Sequence, residues 1–475
     1  MSYQTIEEYF AQFSDDVETI EVKFISNHLP DLSRFYKLKI LTCSNIKLAC
    51  LPLLPSTLKE LWCSNNELTY LPDLPSTLEK LTCYNNELIW LPLLPSTLKE
   101  LWCSNNKLTC LPLLPSTLKV LSCHHNQLTY LPDLPSTLII LNCHNNELIW
   151  LPLLPSTLKE LWCSNNKLTC LPLLPSTLKQ FNSFGNQLTC LPLLPSTLKV
   201  LSCHHNQLTY LPDLPSTLII LNCHNNELTS LPLLPSKLEK IECYKNNIMC
   251  LPPLLPSILK ELSCFNNHLN CLPPLPSTLE KLECFRNNIT CLPPLPSTLK
   301  ILVCFDNQLM CLPNLPPVLE TLSCYNNHLT YLPPLPSTLK ELYCFNNKLT
   351  CLPPLSSNLK MLNCFNNQLT YLPLLPSTLK DLFCGDNLFL DYYVKQDKLS
   401  MAEYITKLQK QIKITNQFRE LFYSLKYKKQ LQDLLWFHIR EPKIRNRYHP
   451  NNLMTMLEGR EDITMDELDE LLEKW

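Results

Sequence analysis

The chain has 475 residues, 45% of them hydrophobic, and 40 Lys and Arg against 42 Asp and Glu leave a net charge of −2. So much apolar material can build a large core, and a balance so close to neutral argues against nucleic acid or an anionic membrane as the partner. No apolar run reaches the roughly 18 residues of a membrane span, and MSYQTIEEYF opens on carboxylates where a secretory leader would carry a basic stretch. Residues 1–37 lack any strict period. Within them IEVKFISNHLPDL, 20–32, reads as a degenerate first coil, the kind of atypical terminal unit that covers the open end of a solenoid.

From 38 to 390 one phrase is repeated. LPLLPSTLKELWCSNNKLTC at 91–110 recurs unchanged at 151–170, and near copies tile the rest. A fixed period of this length is the signature of stacked coils that bury one another's faces, here about seventeen full coils. With Leu91 as position 1, Leu stands at 1, 4, 8, 11 and 18, Pro at 2 and usually 5, Cys at 13 and Asn at 16. Leu101 and Cys103 alternate with Glu100, Trp102 and Ser104, a period of two that predicts a short strand with one face inward. One strand per coil makes a parallel sheet. The Asn-Asn pair must bend the chain, its first residue tolerating a left-handed backbone and its second offering an amide to unpaired backbone groups. A buried asparagine ladder is therefore expected, including Asn66, Asn106, Asn166, Asn267, Asn307 and Asn347. The prolines of LPLLPST forbid helix and sheet interiors, so the return arc is read as extended and polyproline-like.

The spacing L-x-x-L-x-C-x-x-N-x-L, followed by L-P, resembles the leucine-rich repeat, and its short form resembles the repeats of bacterial effectors of the IpaH and YopM type. The resemblance spans about three quarters of the chain. It implies a leucine-rich repeat solenoid with a curved parallel sheet on the concave side and an extended convex side.

Of the 26 cysteines, 17 occupy position 13 and nine position 20. The first column faces inward among leucines, where a thiol acts as a small hydrophobe. No C-x-x-C occurs. The expectation is buried reduced thiols in a reducing compartment, most simply the cytoplasm, with no metal and no cofactor.

Outward positions are where the copies differ. Position 14 carries Tyr84, His124, His144, Phe184, His204, His224 and Tyr244, then Phe265, Phe285, Phe305, Tyr325, Phe345 and Phe365. Val303, Tyr343 and Phe383 add to this at position 12, and Trp62, Trp102 and Trp162 form a second strip nearer the start. Two readings stay open: the rings stack on one another and stabilise the sheet, or the strip from Phe265 to Phe365 docks a protein. The histidines His124, His125 and His144, copied as His204, His205 and His224, are taken as turn and surface residues rather than metal ligands, since no carboxylate accompanies them. Charges at positions 9 and 10 read as a solvated rim.

Residues 111–148 are identical to 191–228, and 87–119 to 147–179. Duplication in blocks preserves a surface that works by area and not a site that needs distinct converging residues, which argues against an enzyme. Residues 391–475 change in composition: Ser400 with Glu403 and Thr464 with Glu467 form capping boxes, so a small α-helical C-terminal domain is expected. Within it LLWFHIREPKIRNRYHP, 434–450, resembles a module found in proteins of giant amoeba-infecting viruses, as does the cysteine-rich repeat layout. Residues 395–450 hold 13 Lys and Arg against five acids, while 458–473 hold eight acids, a pattern that suits pairing between the two segments. Some effectors with such repeats carry a cysteine-dependent ubiquitin ligase after the array. No cysteine follows Cys384, so that chemistry has no nucleophile in this tail. The sequence thus predicts a non-catalytic scaffold that binds a protein partner, viral by resemblance and acting in host cytoplasm. A ligase-recruiting recognition subunit and a virion-associated structural protein are the alternatives.

Overall fold

A computed structural model describes residues 5–388 and five positions beyond them, Lys407, Lys410, Ile414, Gln417 and Tyr427, which are helical and exposed. The expected C-terminal helical domain, with its capping boxes and its basic and acidic segments, otherwise lies outside the described residues.

The described chain opens on one short helix, α1 (Ile6–Ala11), whose first turn holds Glu7 and Glu8 and whose cap is Thr5, with Oγ1 accepting from Glu8 N at 3.2 Å. Ile6, Tyr9 and Phe10 are its buried face. Tyr9 Oη donates to Glu21 O at 2.8 Å, and Arg34 Nη2 donates to Phe10 O at 2.7 Å, which fixes the helix over the first coil. That coil supplies β1 (Thr19–Glu21), in parallel register with β2 (Ile40–Thr42). The degenerate segment 20–32 is thus a coil of the solenoid, with Ile20, Leu29 and Leu32 in its core.

Among the described residues nineteen strands, through β19 (Asp381–Phe383), form one sheet in which every strand pairs in parallel with its sequence neighbours. Each is three residues long and occupies positions 10 to 12 of its repeat, so like residues stand side by side, as in Leu81↔Leu101 and Leu101↔Leu121. The middle residue points inward. Leu98, Leu101, Cys103 and Leu108 of one coil are all fully buried, and the same four positions are buried in coil after coil. Burying one such leucine stabilises by about 1.5–3 kcal/mol, so the core is a continuous rod with no layer able to stand alone.

The first coil, from β1 to β2, has 21 residues, and the 20-residue repeat that follows lengthens again to 21 between β12 (Lys240–Glu242) and β13 (Glu261–Ser263). The extra residue is taken up by a bend at Pro253 and Leu254 in the return arc, and the strand register is untouched. Elsewhere that arc is extended, with one tight turn in which Leu98 N donates to Pro95 O at 3.1 Å. Position 15 is left-handed throughout, from Asn65 at φ 56° to Asp386 at φ 49°.

Beside it, the asparagine at position 16 ties each coil to the one before. Asn287 Nδ2 donates to Cys284 O at 3.0 Å and Phe285 O at 3.2 Å in its own coil, and to Cys264 O at 3.1 Å in the preceding one. Its Oδ1 accepts from Leu269 N at 3.0 Å. Asn66, Asn106, Asn166, Asn267, Asn307 and Asn347 make the same pattern. A second ladder runs along the return arc: Thr97 Oγ1 lies 2.8 Å from Ser76 O and 2.7 Å from Leu78 O of the preceding coil. Threonine recurs there from Thr57 to Thr378.

The two cysteine columns part by environment. Cys43 through Cys364 at position 13 are buried, and burial pushes their thiols up, to about 12 for Cys103 and Cys243. Cys170, Cys190, Cys250, Cys271, Cys291 and Cys311 at position 20 are exposed. Reactivity follows the thiolate and its access. Iodoacetamide on the native protein is therefore expected to label only position-20 thiols, at most nine of the 26, with the rest appearing after denaturation. Peptide mapping that finds Cys103 or Cys243 labelled in native buffer would contradict this packing.

Candidate functional site: the outward face of the sheet

Positions 10, 12 and 14 leave the sheet on the side away from the core. Position 14 follows the strand where the chain turns, and parallel register brings its side chains into one column. Nine of them stack continuously: Phe184, His204, His224, Tyr244, Phe265, Phe285, Phe305, Tyr325 and Phe345, with centroids 4.0–4.3 Å apart and planes within 21°. The faces of the rings are covered by their neighbours, and Phe265 through Phe345 are half-buried. What they present outward is a ridge of ring edges. Phe365 is more exposed, at 39%, and its ring lies over Gly385, where a Cβ would meet it at 3.0 Å. The column has no ring to continue onto in that coil.

Position 12 does not form an unbroken strip. Tyr343 stands beside Asn363, which stands beside Phe383. Trp62 and Trp102 are parted by Thr82, and Trp162 sits between Asn142 and Asn182. Each is held within its own stretch of polar neighbours. Trp62 Nε1 donates to Glu60 Oε2 at 3.0 Å, Trp102 Nε1 to Glu100 Oε2 at 3.2 Å, and Lys80 lies 4.5 Å above the Trp62 ring. Charges line the face next to the ring column: Lys240 pairs with Glu242 at 2.9 Å and Glu261 at 3.2 Å, and Lys281 with Glu283 at 2.9 Å. At position 9, Glu239 with Lys260, Glu280 with Lys300 and Glu320 with Lys340 alternate along the rim.

The histidines sit in the same column. Burial first, and neighbouring imidazoles second, push His124 down to about 4 and His224 to about 3; burial and an adjacent imidazole also bring His144 and His204 to about 4. All four rings are neutral near pH 7 and stack as aromatics.

One exposed apolar surface is not evident from the periodicity of the leucines. Leu93, Leu113, Leu153, Leu173 and Leu193, at position 3 of the return arc, are 81–86% exposed, against full burial of the leucines at positions 8, 11 and 18. The signal was in the copies: Asp73, Asp133 and Asp213 replace leucine at that same position, which an inward site would not tolerate.

This geometry, one short parallel strand per coil with an asparagine ladder at the following turn, defines a leucine-rich repeat solenoid. A profile described as leucine-rich repeats in two copies matches residues 317–357. The structure is similar to YopM from Yersinia enterocolitica, at a TM-score of 0.72 and 36% identity, over 78% of this chain and 87% of that one. The chain belongs to the leucine-rich repeat family. YopM from Yersinia pestis is 34% identical over 72% of this chain and 88% of its own, with a TM-score of 0.46. The ectodomain of a plant receptor kinase from Arabidopsis thaliana has the same fold at a TM-score of 0.51 and 23% identity, over 71% of this chain and 48% of that one. No curated protein sequence matches the chain significantly. Solenoids of this fold are typical of protein–protein interaction scaffolds, and among the described residues no helix is long and apolar enough to cross a membrane.

Proposed function

We propose that the protein is a non-catalytic scaffold that holds a protein partner along the outward face of its sheet, centred on the ridge from Phe265 to Phe365 with Tyr343 and Phe383 beside it. The observation that supports this is the nine-ring column, which sets a continuous ridge of ring edges beside rows of paired charges. An apolar anchor inside a polar rim is how protein interfaces concentrate their binding energy. The abundance of reduced thiols supports a reducing compartment, and the resemblance of residues 434–450 to a giant-virus module supports a viral protein at work in host cytoplasm. A second reading rests on the return arc, where the exposed row Leu153, Leu173 and Leu193 offers a flatter apolar surface.

The test is capture from host lysate by the full chain, by a truncation ending at Asn387, and by two triple variants. Phe285→Ser, Phe305→Ser and Phe345→Ser strip the ridge; serine already fills position 14 as Ser64, Ser104 and Ser164, so the coil accepts it. Leu153→Ser, Leu173→Ser and Leu193→Ser strip the arc. The expected result is loss of capture in the first variant alone, with its circular dichroism unchanged. Loss in the second alone moves the interface to the arc. Partners retained only by the full chain make the tail the recruiting element and the repeats its reader, as in a ligase adaptor. Capture by none of the four would favour a structural, particle-associated role.

A further inference from the structure

The duplicated block 111–148 and 191–228 places the same three histidines in two different surroundings, and the difference points to chemistry at only one of them. In the first copy, His124 and His144 lie on adjacent coils with rings 4.2 Å apart and nearly parallel, at 9°. His125, turned out by its left-handed backbone at φ 52°, stands edge-on to both, 5.3 Å from His124 and 5.1 Å from His144. One ring nitrogen from each of the three lies within 4.8 Å of the others.

The tautomers favour an ion. His144 Nδ1 is 2.5 Å from Asn142 Oδ1. A carbonyl oxygen can only accept, so Nδ1 carries the proton and Nε2 keeps its lone pair. This is the arrangement in which an outer hydrogen bond fixes a metal-binding imidazole. His124 Nδ1 is buried without a hydrogen-bond partner, a polar atom whose desolvation nothing in the protein offsets; His204 Nδ1 in the second copy is orphaned in the same way, so the two groups are told apart by their other contacts. His125 Nε2 faces Asn145 Nδ2 at 2.8 Å, with Nδ1 at 3.2 Å, so this one contact would be exchanged for a ligand bond. Three imidazoles bound to a tetrahedral zinc-type ion at about 2.0–2.1 Å bring their nitrogens to about 3.4 Å from one another. Reaching that spacing requires the rings to tilt toward a common point by about an ångström.

Whether they can tilt depends on the coils above and below. The first copy is flanked at position 14 by Ser104 and Ser164, which put no ring against either end of the histidine pair. In the second copy Phe184 stacks on His204 at 4.3 Å and 12°, and Tyr244 stacks on His224 at 4.0 Å and 10°. Those histidines are interior members of the nine-ring column and are held flat from both sides. The polar contact is altered as well: His224 Nδ1 faces Asn225 Nδ2 at 3.1 Å and so accepts, while Asn222 Oδ1 is buried without a partner.

We infer that His124, His125 and His144 form a binding site for one zinc-type divalent transition-metal ion, with water in the remaining coordination position, and that the duplicate His204, His205 and His224 has been converted to ring stacking. The site lies on the outward sheet face, apart from the ridge Phe265–Phe365, and does not depend on the docking reading.

The experiment is calorimetric titration of the full chain with ZnCl2 after its exposed thiols have been alkylated, so that position-20 cysteines do not compete. One equivalent should bind. His144→Phe is expected to weaken binding by at least ~10-fold, and it is a mild change because Phe265 and Phe285 fill that position in other coils. His224→Phe should leave the isotherm unchanged. Absence of saturable binding, or an isotherm unmoved by His144→Phe, overturns the site. Two equivalents, one lost in each variant, would overturn the argument from ring clamping.

Discussion

Asn287→Ala is expected to lower the unfolding free energy by about 2–4 kcal/mol, a large fraction of what usually holds a domain together. The size follows from which partners are stranded. Cys264 O also accepts from Asn267 Nδ2, Cys284 O from Asn307 Nδ2, and Phe285 O from Asn266 N, so each carbonyl keeps a donor when the amide is removed. Leu269 N has no such replacement, because its partner is Asn287 Oδ1. One buried orphan N–H costs about 1–3 kcal/mol, and the loss of the inter-coil tie adds to it. Asn287→Asp separates the two contributions. It keeps an acceptor for Leu269 N but turns a carboxylate toward three carbonyl oxygens, so it should be worse than alanine at neutral pH. Its carboxyl would be pushed up by those carbonyls; the unfolded state would then bind fewer protons than the folded one, and the deficit should shrink as pH falls through the raised value. Urea unfolding of both variants across pH measures this. An alanine variant within 0.5 kcal/mol of the parent, about the scatter of ordinary surface changes, would show that the ladder is dispensable.

Much of this architecture was legible because one residue pattern is tested many times over in the same chain. The inward pair Leu101 and Cys103, the turn at Asn105 and Asn106 and the extended arc follow from one coil, and the repeat transmits them. Repetition also hid things. Asparagine's tolerance points to the left-handed turn, yet His125, Lys245, Arg286 and Asp306 adopt it too, at φ 51–53°. There the backbone bonds between coils, such as Arg286 N to Phe305 O at 3.0 Å, impose the conformation whatever the side chain. The prolines dominate the LPST pattern and obscure the threonine ladder within it. Its sequence signal is the rarity of exceptions at position 7, where Lys237, Ile258, Val318 and Asn358 stand without a threonine hydroxyl; Ile258 and Val318 are exposed, and Asn358 keeps a tie by donating Nδ2 to Ser337 O at 2.9 Å.

The candidate site was legible in membership and not in form. Residues at position 14 had to align once the strands were in register, so the column from Phe184 to Phe345 could be written down from the sequence. What periodicity does not convey is that rings spaced by one coil cover each other's faces and leave edges outward, or that Gly385 gives Phe365 a flat floor. The identity of 111–148 and 191–228 likewise concealed that the two histidine groups differ, since the difference lies in the flanking coils, Ser104 and Ser164 against Phe184 and Tyr244.

Phe181→Ala should be the most damaging single change in the core, at about 3–5 kcal/mol. Phe181 is fully buried at position 11, between Leu161 and Leu201 of the adjoining coils, in β9 (Gln180–Asn182). Its coil also has Ser183 in place of the usual cysteine, and the Ser183 hydroxyl is buried without a partner. The larger ring thus accompanies a smaller neighbour on the same inward face. Restoring both, as Phe181→Leu with Ser183→Cys, exchanges volume and removes the orphan hydroxyl, and is expected to be at least as stable as the parent. In a solenoid each coil contacts only its neighbours, so damage at β9 and at β14 (Lys281–Glu283), five coils or about 24 Å apart, should not communicate. The double variant Phe181→Ala, Asn287→Ala should then lose the sum of the single losses within about 0.5 kcal/mol. If its urea transition resolves into two steps, the coils on either side of the cavity at β9 unfold as separate units. If the losses fall short of additive in a single sharp step, the rod shares strain over five coils, and the nearest-neighbour description of this core is wrong.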